Sequence, residues 1–216
     1  MKNVLSALIS LAAAAGLVTA AQAQDAQAGA KKAAMCIGCH GIPGYQASFP
    51  EIHKVPMISG QGAKYITSAL TAYKKGERKH PSMKAIAASL TEQDMADLGA
   101  FYSTQAGPAT AESAPAPTPP ATVAELLKKG NCASCHGENL NKPIDPSYPK
   151  LAGQHADYLF VALKAYQTEG NPQVGRGNAI MAGMAKPFSH AELKQMASYI
   201  ASLPTDLKTV PESRFR

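Results

Sequence analysis

The chain has 216 residues, 45% of them apolar and 17% charged, and 21 Lys and Arg against 15 Asp and Glu give a net charge of +6. That is enough for one large or two small domains and excludes a peptide or a disordered acidic tail. The basic residues are spread along the chain rather than packed into an arm, which argues against nucleic acid as a partner.

Residues 1–23 read as a cleaved secretory signal: Lys2 is the positive start, Val4 to Val18 an uncharged apolar run, and Ala21-Gln22-Ala23 a small-x-small cleavage site. The alternative is an uncleaved anchor, since Asn3 to Gln24 carries no charge. Export places the mature chain in the periplasm. Tryptophan is absent and aromatics are 6%, so the core is short of bulky side chains and leaves room for a group other than protein.

A helix is expected from about Ala26, leading into Cys36-Ile37-Gly38-Cys39-His40. After it, Tyr65, Ile66, Ala69, Leu70 and Tyr73 follow the i, i+3, i+4, i+7 rule of an amphipathic helix. Lys74, Lys75, Arg78 and Lys79 form the densest basic cluster, either a solvated loop or a rim for docking an acidic partner. Thr91 with Asp94 resembles a capping box opening the last helix of this half. Residues 105–122 hold five prolines and one charge, which makes them a semi-extended linker. Its length allows loose coupling between residues 24–104 and residues 123–216.

The second half repeats the first. A helix from about Ala121 leads into Cys132-Ala133-Ser134-Cys135-His136. Pro149 to Gln154 matches Pro56 to Gln61, and Tyr158, Leu159, Ala162, Leu163 and Tyr166 match the earlier stripe. Ser189 with Glu192 caps a final helix whose Leu193, Met196, Ala197, Ile200 and Leu203 form a buried stripe. No alternating strand pattern of useful length occurs. The fold class is all-α, with two tandem domains of three or so short helices each.

Two thiols spaced i, i+3 on a helical turn point the same way and can add to the two vinyl groups of one porphyrin, while the adjacent imidazole binds the iron. Zinc would need further ligands at finger or ribbon spacing, and a thioredoxin-like pair would need a βαβ context; neither is visible. Two such sites predict two covalently attached haem c groups, on Cys36 and Cys39 and on Cys132 and Cys135, with His40 and His136 as axial ligands. The sixth ligand decides between electron transfer and catalysis. Met83 and Met181 are the matching pair, each seven residues before an apolar residue, Leu90 or Phe188, that precedes the terminal helix. Met184 is a packing residue or an alternative to Met181, and His80 could replace Met83. Met57 has Lys150 at its equivalent place. Met95 and Met196 read as core residues. His53, His155 and His190 have no histidine counterparts and read as surface or supporting residues. Pro50 and Pro143 align in the loop after each histidine, where a backbone carbonyl can accept the imidazole N–H.

These features resemble the dihaem class I cytochromes c of the cytochrome c4 type. The resemblance is carried by the two CxxCH sites, by YPKLAGQHADYL (Tyr148 to Leu159) with its weaker copy VPMISGQGAKYI (Val55 to Ile66), by the late methionines and by the two closing helices. It implies two cytochrome c-like domains, each wrapped around one haem with His/Met ligation, and electron transfer rather than enzymatic chemistry. It also implies membrane redox partners: a cytochrome bc complex or other donor, and a cbb3-type or other haem-copper oxidase as acceptor, with no small-molecule substrate. Departures at Met57, Ser59 and Gly62, and three extra residues between His40 and Pro56, set the first half apart. The rival readings are a dihaem peroxidase, a thiosulfate dehydrogenase-like enzyme, or a dedicated subunit of a larger redox complex.

Overall fold

The computed structural model describes residues 23–108 and 114–211. Residues 1–22 of the expected signal and 109–113 of the expected linker lie outside the described residues. In the first half the order is α1 (Ala26–Lys32), α2 (Ala34–His40), β1 (Gln46–Ala47), β2 (His53–Lys54), α3 (Ala63–Lys75), β3 (Arg78–Lys79), α4 (Pro81–Ala88) and α5 (Glu92–Ser103). The second half runs α6 (Ala121–Lys129), α7 (Ala133–His136), α8 (Ala156–Gln167), β4 (Gly175–Arg176), α9 (Ala179–Ala185) and α10 (His190–Ala201). No helix among the described residues is long and apolar enough to cross a membrane.

The expected helices form where the periodicity places them, and both capping boxes close. Thr91 Oγ1 accepts the Asp94 amide at 3.1 Å while Asp94 accepts the Thr91 amide at 2.9 Å. Ser189 and Glu192 make the same exchange at 3.3 and 2.7 Å. Each half has more helices than expected, because the helix leading to the cysteines breaks before it reaches them and because the methionine segments are themselves helical. The strands are two residues long, too short to leave an alternating pattern.

In the first half α5 packs on α1 and α3. A Cβ at Gly29 would lie 2.1 Å from the Asp97 carbonyl oxygen, so α1 approaches α5 closely only because Gly29 has none. Asp97 fixes the crossing by accepting from the Asp25 amide, Lys32 Nζ and Gln93 Nε2 at 3.0, 2.7 and 2.7 Å. One apolar cluster gathers Ala33, Ile66, Leu70, Leu90, Met95, Leu98 and Tyr102. Around α8 and α10 the second half buries Leu159, Leu193, Met196, Ala197, Ile200 and Leu203.

The halves meet across a pseudo-two-fold seam built by equivalent residues. Gln154 accepts from the Met57 amide at 3.0 Å and donates to the Met57 carbonyl at 2.8 Å. Its counterpart Gln61 accepts from the Lys150 amide at 2.8 Å and donates to the Lys150 carbonyl at 3.0 Å. Strands β3 and β4 pair antiparallel with Arg78 opposite Arg176. The three extra residues of the first half belong to the β1–β2 hairpin, where the Lys54 amide donates to Asp157 on α8 at 3.0 Å. Coupling between the halves therefore does not depend on the linker, contrary to what its length suggested.

Candidate functional site

Cys36 and Cys39 stand one turn apart on α2, while Cys132 is the N-cap residue of α7 and Cys135 lies on it; no disulfide joins the four. In each pair the first cysteine packs against its half's apolar cluster, Cys36 on that of Leu98 and Cys132 on that of Ile200. Burial pushes both of these thiols up, toward the neutral form.

The two imidazoles are held in the same way. His40 Nδ1 lies 2.8 Å from the Pro56 carbonyl oxygen and His136 Nδ1 2.9 Å from that of Pro149. A carbonyl can only accept, so Nδ1 carries the proton in each ring and Nε2 keeps a lone pair for a metal. Burial lowers both rings below the ordinary histidine range, and Arg78 and His80 push His40 further in that direction; a neutral ring is the form that ligates. The carbonyls come from the aligned Pro56 and Pro149, in the loop after each histidine and six residues beyond Pro50 and Pro143.

Met83 and Met181 occupy the same third position of α4 and α9. Their backbone amides are capped by equivalent side chains, His80 Nδ1 at 3.4 Å and Asn178 Oδ1 at 2.9 Å. Met83 is partly buried against the cluster that holds Cys36, and Met181 is also partly buried, whereas Met184, one turn on, is 45% exposed. His80 is engaged through Nδ1 as the cap of α4 and is partly buried, with its ring 5.8 Å from that of Phe49. His53 is not a surface residue: it is 5% exposed, bonded to the Glu51 carbonyl at 2.8 Å, with its ring 6.2 Å from that of Tyr158 across the seam.

The basic cluster is neither a solvated loop nor a docking rim throughout. Lys74 donates to the Leu90 carbonyl and Lys79 to the Asn171 carbonyl of the other half, at 2.5 and 2.6 Å. Arg78 donates to Tyr65 Oη at 3.2 Å and Tyr158 Oη at 2.7 Å and lies 4.6 Å from the centre of the Tyr73 ring. Arg176 donates to the same Tyr158 oxygen at 3.1 Å and lies 5.2 Å from the centre of the Tyr166 ring. Among the described residues no carboxylate pairs with either guanidinium, and Arg78 Nε is buried without a hydrogen-bond partner. Burial would raise the Tyr158 phenol, yet the two arginines overcome it and bring it down to about 7. Uncompensated positive charge of this kind suits anionic groups, such as the propionates of a haem. The signal was present in the sequence, since Arg78 and Arg176 each lie five residues before an aligned methionine.

The cytochrome c family model matches residues 26–105 and again residues 121–204. Cytochrome c4 of Stutzerimonas stutzeri is 31% identical over 94% of this chain and 100% of its own length. The chain belongs to the cytochrome c4 family. In structure it is similar to reduced recombinant cytochrome c4 from Pseudomonas stutzeri, with a TM-score of 0.62, 30% identity, and coverage of 84% of this chain and 100% of that one. A protein named thiosulfate dehydrogenase electron acceptor, from Stutzerimonas stutzeri strain A1501, is 30% identical over 89% of this chain and 94% of its own length. As a cytochrome c4, the chain is an all-α dihaem cytochrome c with two covalently attached haem c groups, and its work is electron transfer.

Proposed function

We propose that this cytochrome c4 is a periplasmic carrier of single electrons between membrane redox complexes, exported by a cleaved signal at residues 1–23. In this reading residues 24–104 and 123–216 are its two haem domains, joined by a linker at residues 105–122. Cys36 and Cys39 hold the first haem, with His40 and Met83 on its iron; Cys132 and Cys135 hold the second, with His136 and Met181. When bound, each haem supplies a one-electron Fe(III)/Fe(II) couple. The chain's residues do the rest. Pro56 and Pro149 fix the ring tautomers, the thioethers of Met83 and Met181 would favour the reduced state, and Arg78 and Arg176 would donate to the carboxylates of the cofactors.

The observation that carries this reading is the repetition of the whole constellation: thiol pair, carbonyl-locked imidazole and capped methionine recur in both halves at matching places. A histidine and a methionine available to each iron would leave no position for a substrate, which is why a carrier is favoured over a dihaem enzyme. The expected donor is a cytochrome bc complex or similar, and the expected acceptor a haem-copper oxidase, cbb3-type among them. A second reading has support in one relative's name: the chain would accept electrons from a thiosulfate-oxidising enzyme. Stopped-flow mixing separates the two. Rapid oxidation of the reduced protein by membranes containing a haem-copper oxidase supports the first. Reduction only by thiosulfate with its dehydrogenase, and no oxidation by the membranes, supports the second.

A further inference from the structure

The family match ends at residue 204, but the chain continues in an ordered path that returns to the other half. Asp206 and Leu207 are buried, at 8% and 5% exposure. The Asp206 carbonyl accepts from the Gly107 amide at 2.6 Å, and the Lys208 amide donates to the Ser59 carbonyl at 3.1 Å in an isolated antiparallel bridge. Asp206 also pairs with Lys150, the residue whose backbone is clamped by Gln61. The fit is tight at two aligned glycines. A Cβ at Gly153 would lie 2.1 Å from the Thr205 methyl group, and one at Gly60, whose φ is +88°, would lie 2.7 Å from the Asp206 carbonyl oxygen.

Beyond this crossing, Val210 reaches α2. Its carbonyl oxygen would lie 3.2 Å from a Cβ at Gly41, and its residue helps close a cavity of about 10 Å³ lined also by Ile37, His40, Gly41, Ser59 and Tyr102. That volume is at the lower limit for a single water.

We propose that residues 205–210 are a strap by which the second half completes the first haem site from behind, keeping the His40 side of α2 dry and setting the first haem's potential apart from the second's. The inference rests on His40 being an axial ligand. Water admitted beside that histidine stabilises the ferric state, which carries the extra positive charge, so loss of the strap lowers one potential and leaves the other in place.

The test compares the intact holoprotein with a variant ending at Thr205 and with Lys208→Pro, which removes the amide that meets Ser59 along with the lysine side chain, Lys208→Ala being the control for the side chain. Two readouts are taken: hydrogen exchange at the Gly107 and Lys208 amides, and a redox titration resolving the two one-electron steps. The expected result is strong protection of both amides in the intact protein and exchange at Gly107 faster by roughly tenfold or more in both variants. One midpoint potential falls while the other holds. Unprotected amides in the intact protein overturn the strap, as does a titration unchanged in both variants or shifted equally at both haems. If the truncated chain does not accumulate with haem, Lys208→Pro decides by the same readouts. Exchange does not depend on which residues bind iron, so protected amides in a protein lacking His/Met ligation would refute the ligand assignment and not the strap.

Discussion

Replacing Gln154 by Ala removes one side chain and breaks two hydrogen bonds across the seam, those of 3.0 and 2.8 Å to the amide and carbonyl of Met57. Gln154 is 3% exposed and Met57 is partly buried, so water can re-pair the freed groups only in part. A net hydrogen bond contributes about 1 kcal/mol, and a buried backbone group left unpaired costs about 1–3 kcal/mol. Together these give an expected loss of about 2–4 kcal/mol. For a chain of this length that corresponds to roughly 5–15 °C in Tm. Gln61→Ala, which breaks the equivalent pair at Lys150, is expected to cost a similar amount. Denaturant unfolding of both holoprotein variants, followed by far-UV circular dichroism, measures the effect. A loss below about 0.5 kcal/mol in both, the level of an ordinary surface change, would refute the claim that these glutamines clamp the halves.

His80→Ala is expected to leave the methionine-to-iron absorption of both haems intact while costing about 1 kcal/mol as a lost helix cap, and His80→Asn to restore most of that stability; a changed ferric spectrum would make His80 a ligand. Arg78→Leu removes a positive charge beside the proposed first site, so redox titration is expected to show a lower midpoint potential, and a raised potential would contradict the electrostatic reading. Lys32 holds the Asp94 and Asp97 carboxyls below the usual range. A carboxyl whose folded pKa is depressed stabilises fully above its unfolded value near 4 and loses that contribution as pH falls below it. Unfolding midpoints at pH 7 and pH 3 are therefore expected to differ less in Lys32→Met than in the unmodified protein; an equal difference would refute the role of Lys32.

Much of this architecture was legible because it is local. Thr91 with Asp94 and Ser189 with Glu192 announce helix starts through bonds that span only three residues, and the apolar stripes of α3, α8 and α10 follow from periodicity. The cysteine pairs and the aligned methionines are likewise readable in one dimension, because the repeat supplies its own comparison. Helices α4 and α9 were missed: at two turns each they are too short to show a stripe, and α4 is capped by a histidine that drew attention as a possible ligand. Arg78 was misplaced for a different reason. Its neighbours Lys74, Lys75 and Lys79 make it look like part of a solvated charge run, whereas its partners Tyr65 and Tyr158 come from two helices and only the assembled seam brings them to it. The carbonyl that locks each histidine was equally illegible, since any residue of the following loop could have supplied it. The burial of His53 depends on a hairpin that the second half has no counterpart for, so the repeat could not point to it.

The central claim is that both irons carry one histidine and one methionine. It is tested most directly by the ferric optical spectrum of the purified protein, reading the weak long-wavelength methionine-to-iron band against total haem. Two equivalents per chain, falling to one in Met83→Ala and one in Met181→Ala, is the predicted result. One equivalent in the unmodified protein, or a high-spin signature at either haem, would contradict it.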